Sequence, residues 1–272
     1  MKKILSLLAF VCLVVASASA QDPCHHGFLI DQQLQQDPNY AAKMAQLDQE
    51  VNDYLQQNPN GGNNRVVRTI SVAVHVVYNT ASQNISDAQV KSQIAALNRD
   101  FRKQNGDTAN TPERFKAFAA DAAIEFVLAT ADGMGRPTNG IVRKQTGVRG
   151  WQMDDKIKSS KSGGADGWDP KSYLNIWVGN LSQALGYASL PGSDAALDGV
   201  VINFAAFGTN GTAAPYNMGR TTVHEVGHWL NLFHTFDGKC SQLGDLIVDT
   251  AAERLPAFGC PVGRDTCVGA KA

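Results

Sequence analysis

Three histidines and a glutamate stand close together near residue 230. The stretch HEVGHWLNLFH, residues 224–234, holds three of the six histidines in the chain. If this stretch is helical, His224 and His228 lie on one face, a single turn apart. Two imidazole nitrogens so placed can bind the same small ion. The spacing therefore predicts a metal site carried by a helix.

Glu225 directly follows the first of these histidines. On a helix it lies about 100° round the axis from His224, so that it flanks the ion without binding it. A carboxylate in that position can accept a proton from a metal-bound water. We therefore predict that Glu225 is a general base in a hydrolytic reaction.

His234 can join the other two histidines only if the chain leaves the helix and bends back, since a continued helix would carry it about 9 Å along the axis. A sharp helix exit needs a left-handed residue, for which glycine is best and asparagine next, and Asn231 stands at that point. Three neutral imidazoles with one open position favour Zn²⁺, whose charge lowers the pKa of a bound water to about 7.

Simpler interpretations of this stretch exist. His224 and His228 are also compatible with hydrogen-bonded core or surface roles, Glu225 with a capping box to Thr222, and His234 with a loop position of no special function. A four-residue histidine spacing with a glutamate recurs by accident. The third histidine, the asparagine at the bend and the elements before the helix favour the metal site.

The histidine stretch follows a series of strand and helix patterns. Apolar, β-branched runs predict five strands, at residues 69–78, 123–130, 173–179, 185–191 and 198–204. Residues 86–102 form a predicted helix with a capping-box start, and the histidine helix begins at residue 219–222. We expect an α/β (α+β) domain: a twisted mixed five-stranded sheet, a long helix after strand 1, and the zinc helix after the last strand.

The N-terminal residues 1–20 predict a secretory signal peptide, with Lys2 and Lys3 before an apolar run and small residues before Gln21. The alternative is a membrane anchor, but the apolar run is shorter than the roughly 20 residues that a spanning helix needs. We expect a secreted, extracellular protein with no membrane contact after cleavage. The net charge of −1 gives no reason to expect a nucleic-acid partner.

Residues 21–68 differ in composition from the rest and predict a removable pro-segment with a linker. Met44, Leu47, Val51 and Tyr54 recur at helical spacing and form an apolar stripe. Residues 58–65, NPNGGNNR, are typical of an exposed linker. The alternative is a plain N-terminal helical extension. The catalytic domain is expected over residues 69–272.

Removal of the signal leaves four cysteines, Cys24, Cys240, Cys260 and Cys267, which allow three complete pairings. Three of them lie close together near the C-terminal end, and Cys24 stands apart. The odd cluster suggests that one partner is missing. A thiolate is a strong zinc ligand, so Cys24 is a candidate fourth ligand in a latent form. An ordinary disulfide from Cys24 to Cys260 is the alternative.

The whole pattern resembles the metzincin metallopeptidases, and within them the pappalysin branch. The histidine stretch matches their zinc signature, with Asn231 where glycine is commoner. The similarity runs from about residue 70 onward and includes VAVHVVYNTASQNISDAQVKSQIAALNRDFR, GRPTNGIVR, YLNIWVGNL, LGYASLPG, DGVVI, GDLIVDT and GCPVGRDTC. The resemblance implies a metzincin-like fold and a zinc endopeptidase.

The resemblance also implies details of binding. Residues 185–191 correspond to the edge strand of the substrate cleft, along which an extended peptide or protein substrate pairs its backbone. Asp245, Asp249 and Thr250 are candidate oxygen ligands of a calcium ion, although they could equally be solvated loop residues. Cys240 is expected to pair with Cys267, which leaves Cys260 for a cysteine beyond the present end.

One family element, a methionine turn under the zinc, has no counterpart after the histidine stretch, because the last methionine is Met218. We therefore expect a truncated sequence or a fragment, and the activity of this chain stays open. Two hypotheses follow: a secreted zinc endopeptidase, or a secreted zinc-binding domain, inactive as given, that serves in adhesion or binding. Retention of Glu225 favours the first, because a binding site needs no base.

Overall fold

The computed structural model describes residues 26–58, 66–212, 214–240, 245–247, 250–259 and 261–267. The predicted signal peptide and most of the predicted linker lie outside these ranges. So do Cys24, Cys260 and Asp249.

A twisted sheet forms the centre of the molecule. Its strands are β1 (Arg68–Tyr78), β2 (Ile124–Leu128), β3 (Ile141–Gln145), β4 (Leu174–Gly179), β5 (Gly186–Ala188) and β6 (Val200–Asn203). The spatial order is β2-β1-β4-β6-β5, and β3 also pairs with β1. All pairings are parallel except that of β5 with β6. The strand β5 is therefore an antiparallel edge.

The fold class is confirmed, but the sheet has six strands where five were predicted, and the strand predicted over residues 185–191 covers only Gly186–Ala188. The strand β1 is eleven residues long, which is enough for two short strands to pair with it end to end. Residues 68–72 pair with β2, and residues 74–78 pair with β3. The partly exposed β3 carries Arg143 and Lys144, so its apolar pattern is weak.

Four α-helices accompany the sheet in the described part of the chain: α1 (His26–Gln36), α2 (Tyr40–Gln57), α3 (Asp87–Phe101) and α4 (Arg220–Trp229). The helix α3 follows β1 and begins as predicted, because the Ser86 side chain accepts a hydrogen bond of 3.1 Å from the amide of Gln89. The helix α4 follows β6 and carries the histidine stretch. None of the described helices has the length and apolar character needed to cross a membrane.

Apolar side chains cover both faces of the sheet. On one face, α3 and α4 pack on the strands through Val90, Leu97 and Val226, all fully buried. Fully burying such a side chain stabilises the fold by about 1.5–3 kcal/mol. On the other face a second cluster gathers Trp177, Tyr187 and their neighbours, and Leu29 of α1 packs against it. The helix α1 therefore contacts the face opposite α3 and α4.

The predicted helix of the N-terminal segment exists as α2, but only half of its apolar stripe is buried. Met44 and Leu47 are partly buried. Val51 and Tyr54 are 54% and 63% exposed. The preceding helix α1 is an addition to the prediction. Its sequence, HGFLIDQQLQQ, has few apolar residues at helical spacing, which explains why the pattern did not reveal it.

Candidate active site

The start of α4 is held in place by a buried glutamine of α3. Gln93 donates a hydrogen bond of 3.0 Å to the carbonyl of Gly219 and accepts one of 2.6 Å from the amide of Gly208. Gly219 has φ of +72°, and a Cβ there would lie 2.7 Å from the Cβ of Ala96. Glycine at this position lets the loop approach α3 closely before the helix begins.

An arginine at the first turn of α4 makes a second link to α3. The Arg220 guanidinium lies 2.7 Å from both Asp100 and Asp107. The Asp100 side chain is 5% exposed. Burial raises the pKa of that carboxyl, while the positive charges of Arg220 and Arg99 oppose the rise. The start of the helix is therefore fixed by charge as well as by the glutamine.

The helix α4 ends where the sequence predicted a bend. Asn231 has φ of +71°, which confirms the left-handed residue at this point. The amide of Leu232 donates to the carbonyl of Gly227 at 3.0 Å, and the amide of Asn231 donates to the carbonyl of His228 at 2.9 Å. These are the two hydrogen bonds of a Schellman motif. The chain then turns back toward the helix.

The turn brings the three histidines together. The Nε2 atom of His228 lies 3.0 Å from Nε2 of His224 and 3.2 Å from Nε2 of His234, and the last two lie 3.2 Å apart. Four-coordinate zinc with Zn–N bonds of about 2.0–2.1 Å would place its nitrogen ligands roughly 3.3 Å apart. The donor set and its spacing therefore fit a zinc ion.

Neighbouring groups fix the orientation of two of these rings. Nδ1 of His228 lies 2.6 Å from the carbonyl oxygen of Leu232. A carbonyl can only accept, so this nitrogen carries the proton and Nε2 keeps its lone pair. Nδ1 of His234 lies 3.3 Å from one carboxylate oxygen of Asp237, whose other oxygen accepts a 2.9 Å hydrogen bond from the amide of His234. Such outer contacts orient metal-binding imidazoles.

Glu225 is buried between α4 and the edge strand β5. The whole residue is only 1% exposed. A Cβ on Gly186 would lie 2.8 Å from Cγ and 3.1 Å from Oε1 of Glu225. The absence of a side chain at Gly186 therefore lets the carboxylate lie directly against the backbone of the strand.

The far end of α4 is tied to the loop between β5 and β6. The indole Nε1 of Trp229 donates a hydrogen bond of 2.6 Å to the carboxylate of Asp198. Asp198 directly follows the short turn Ala195–Leu197. The active-site helix thus contacts the edge strand at Gly186 and the β5–β6 loop at Asp198.

Two of the three predicted calcium ligands, Asp245 and Thr250, belong to the described residues. Asp245 is buried and accepts a hydrogen bond of 3.0 Å from the amide of Ile247. The amide of Thr250 donates to the carbonyl of Ile247 at 3.3 Å. Asp249, the third predicted calcium ligand, and Cys24, the predicted latent zinc ligand, lie outside the described residues. The calcium site and the cysteine ligand remain predictions.

The predicted disulfide between Cys240 and Cys267 is confirmed. Their sulfur atoms are 2.08 Å apart, and the Cα atoms are 5.3 Å apart. The bond closes a segment of the chain that follows the third histidine. Cys260 lies outside the described residues, so its partner is untested.

Several residues that shape the site were missed by the sequence analysis: Asp237, Gly186, Gln93, Arg220 and Trp229. Only Asp237 carried a local signal, since an acidic residue three positions after a metal-site histidine is a reasonable orienting partner. The others act through contacts between distant parts of the chain. Pattern and spacing hold no information on those contacts.

Comparison with known proteins places this geometry in a family. The sequence profile of the peptidase M43 family, described as pregnancy-associated plasma protein-A, matches residues 158–271. An extracellular metalloprotease of Verticillium alfalfae is 35% identical over 222 residues, or 76% of this chain and 66% of that protein. The chain thus spans slightly less than two thirds of that relative.

Solved structures agree with the sequence comparison. A structure of mirolysin in complex with compound 9 has a TM-score of 0.71 at 44% identity, over 76% of this chain and 81% of that one. Mature mirolysin of Tannerella forsythia with a cleaved peptide has a TM-score of 0.65 at 46% identity, over 67% and 71% of the two chains. The chain belongs to the pappalysin-like M43 family of metzincin metallopeptidases.

Proposed function

We propose that the protein is a secreted zinc-dependent endopeptidase that hydrolyses peptide bonds. The observation that carries the proposal is the meeting of three histidine Nε2 atoms within 3.2 Å of one another, beside a buried glutamate. His224, His228 and His234 would hold the zinc. Secretion is supported by the N-terminal sequence and by the name of the Verticillium relative, an extracellular metalloprotease.

Bound zinc would supply a positive charge that acidifies a water molecule and polarises the substrate carbonyl. The protein's own part in the reaction falls to Glu225. Its carboxylate would accept the proton of the attacking water and return a proton to the leaving amine. Burial against Gly186 holds the carboxylate in place, and the hydrogen bonds at the Nδ1 atoms keep the Nε2 lone pairs available.

The substrate would be an extended peptide bound along residues 185–191. Within the described residues β5 pairs only with β6, so the backbone groups of its other side are available for a further strand. The contact between Gly186 and Glu225 puts the proposed base next to a peptide on that strand. The solved mirolysin structure that holds a cleaved peptide supports the same kind of substrate.

The pro-segment would keep the enzyme latent until cleavage near Arg65 or Arg68. The helix α1 lies beside β5, and Leu29, Gln32 and Gln36 line one side of a cavity of about 260 Å³ whose other side includes Tyr187 and Leu190. A Cβ on Gly27 would lie 3.8 Å from Oδ1 of Asp237. The first turn of α1 therefore lies near Asp237, which contacts His234, and this supports Cys24 as a zinc ligand in the latent form.

Calcium is proposed as a second ion. Asp245, Asp249 and Thr250 would supply oxygen ligands after the third histidine, and Asp245 is already buried there. The family resemblance supports this proposal.

The test of the proposed function is Glu225→Gln in the whole protein. The amide cannot accept a proton, so peptide hydrolysis should fall by at least a thousandfold, roughly 4 kcal/mol of barrier, while zinc stays at one per chain. Glu113→Gln, at a side chain that is 87% exposed and forms a surface ion pair with Lys116, is the control and should leave both values unchanged. A wild-type protein that binds zinc but cleaves no peptide would favour the binding-domain alternative. Full activity in the Glu225 variant would remove this residue from the mechanism.

A further inference from the structure

A buried lysine stands behind the edge strand and takes no part in the proposed chemistry. The Lys158 side chain is 1% exposed. It belongs to the short turn Lys156–Lys158, far from α4 in the sequence. A buried ammonium is rare unless it is paired, because its removal from water costs several kcal/mol. Its partners therefore show what holds it there.

The ammonium touches three separate elements. Nζ lies 2.7 Å from Oδ1 of Asp155 and donates a hydrogen bond of 2.7 Å to the carbonyl of Leu197. It also lies 5.3 Å from the ring centre of Tyr187 in β5 and 5.4 Å from that of Trp177 in β4. Both distances are in the range of a cation–π contact. Lys158 is thus the common contact of β4, β5 and the β5–β6 loop.

These contacts bear directly on the edge strand. Tyr187 is the middle residue of β5, is 2% exposed and pairs with Val201 of β6. Leu197 belongs to the loop that returns from β5 to β6, and the next residue, Asp198, binds Trp229 of the active-site helix. A shift of Lys158 would therefore move both the strand and the loop that connects it to α4.

Stability alone does not explain a charge at this place. Buried ion pairs are often no more stabilising than apolar side chains of the same volume, and burial lowers the pKa of Lys158 against the opposing charges of Asp155 and Asp198. A methionine would fill the space with less cost. A lysine, unlike an apolar side chain, makes directional contacts. Its hydrogen bond to Leu197 and its ion pair with Asp155 hold these groups at fixed positions.

We propose that Lys158 is a positioning residue that fixes the strand β5 for the backbone of a bound peptide. The inference rests on the proposed peptidase function and adds a residue to its substrate-binding side. Lys158 does not touch the reacting atoms. It acts from the rear of the sheet, through the Tyr187 ring and the Leu197 carbonyl.

The experiment compares Lys158→Met with Lys156→Met. Lys156 lies two residues away and its side chain is 65% exposed, paired only at the surface with Asp154, so it is a matched control. Both variants are made in the whole protein, loaded with zinc and activated by limited proteolysis of the linker. An extended peptide serves as substrate, and acetohydroxamate serves as a small ligand that reaches the zinc without needing β5.

Lys158→Met should raise KM for the extended peptide about tenfold and leave kcat within about twofold, since loss of strand position weakens peptide binding rather than the chemical step. The inhibition constant of acetohydroxamate should stay the same. Lys156→Met should match wild type. An unchanged KM, or an equal loss for peptide and acetohydroxamate, would overturn the proposal.

Amide hydrogen exchange gives a measurement that does not need activity. The amides of Gly186–Ala188 should exchange faster in Lys158→Met, while those of β4 keep their wild-type rates. Asp155→Asn, which leaves the lysine in place but removes its ionic partner, should show the same effect more weakly and covers the case in which Lys158→Met does not fold. If the wild type cleaves no peptide, the proposed function fails, and the exchange rates of β5 still decide the role of Lys158.

Discussion

Gly186 and Glu225 lie so close together that a side chain at the first position of β5 would displace that of Glu225. A Cβ on Gly186 would be 2.8 Å from Cγ of Glu225 and 3.0 Å from Cδ1 of Ile202. The proposed base and the proposed peptide-binding strand are thus neighbours through direct contact of backbone and side chain. A side chain added at Gly186 would therefore meet the Glu225 side chain directly.

Gly186→Ala should move the Glu225 carboxylate and reduce kcat/KM by about a hundredfold, because a displacement of about 1 Å at a catalytic group has effects of that size. The histidines are untouched, so zinc content should stay at the wild-type level. Ala188→Gly, two positions along the same strand, is the control for altered packing of β5. Wild-type activity in Gly186→Ala would mean that Glu225 tolerates the shift or is not the base.

Asp237→Ala should weaken zinc binding by about ten- to a hundredfold, because the carboxylate contacts both Nδ1 and the amide of His234. Competition with a chromophoric chelator measures the affinity. Asp169→Ala, in an exposed turn, removes a carboxylate of similar local bonding and should have no effect. Equal zinc affinity in both variants would show that Asp237 does not orient the ring.

His75 should make the fold sensitive to acid. It is buried in β1, stacked on Trp177, and its Nε2 lies 2.9 Å from Oδ1 of Asn175. Burial lowers its pKa from 6.5 to about 4, against a smaller rise from the Asn175 contact and the charge of Asp166. Between these values the unfolded chain binds the proton and the folded chain does not.

Because the unfolded chain binds this proton more readily, acid lowers the stability of the fold. The contribution of the neutral ring to stability is complete above pH 6.5 and is lost as the pH falls toward about 4, by about 3 kcal/mol in all. Urea unfolding of the zinc-free protein at a series of pH values measures it, with metal removed so that zinc release does not contribute. His75→Gln should show a smaller loss of stability over this range. Parallel curves for the two proteins would contradict the assignment.

Cys24→Ala should activate the protein before the pro-segment is cleaved. Without the thiolate the fourth zinc position admits water, so the uncleaved variant should hydrolyse peptides at least tenfold faster than uncleaved wild type. X-ray absorption should show a sulfur ligand on zinc in wild type and none in the variant. An uncleaved variant as inactive as wild type, with no sulfur on zinc in either protein, would exclude the switch.

Local signals in the sequence were sufficient for the parts of the site that lie on one helix and its exit. The spacing of His224 and His228 and the left-handed preference of Asn231 together predicted the bend, and the structure has it. The Ser86 cap of α3 followed from the same kind of local pattern. Each of these features depends on residues a few positions apart.

Contacts between residues that are far apart in the sequence could not be predicted from local patterns. The Gln93 contacts with Gly208 and Gly219 join positions more than 110 residues apart. The contact of Gly186 with Glu225 crosses from the sheet to the helix, and glycine in a strand signals a close approach without naming the partner. The strand β3 was missed because Arg143 and Lys144 interrupt its apolar pattern.

Processing is expected near Arg65 or Arg68, and only the second of these arginines belongs to the strand β1. The amide of Arg68 donates to the carbonyl of Ala123 at 2.8 Å, and Arg68 pairs with Ile124 of β2. Cleavage after Arg65 would leave this pairing closed. Cleavage after Arg68 requires that the end of the sheet open first. The strand itself would thus direct a trypsin-like processing protease to the earlier arginine and set the N-terminus of the mature enzyme.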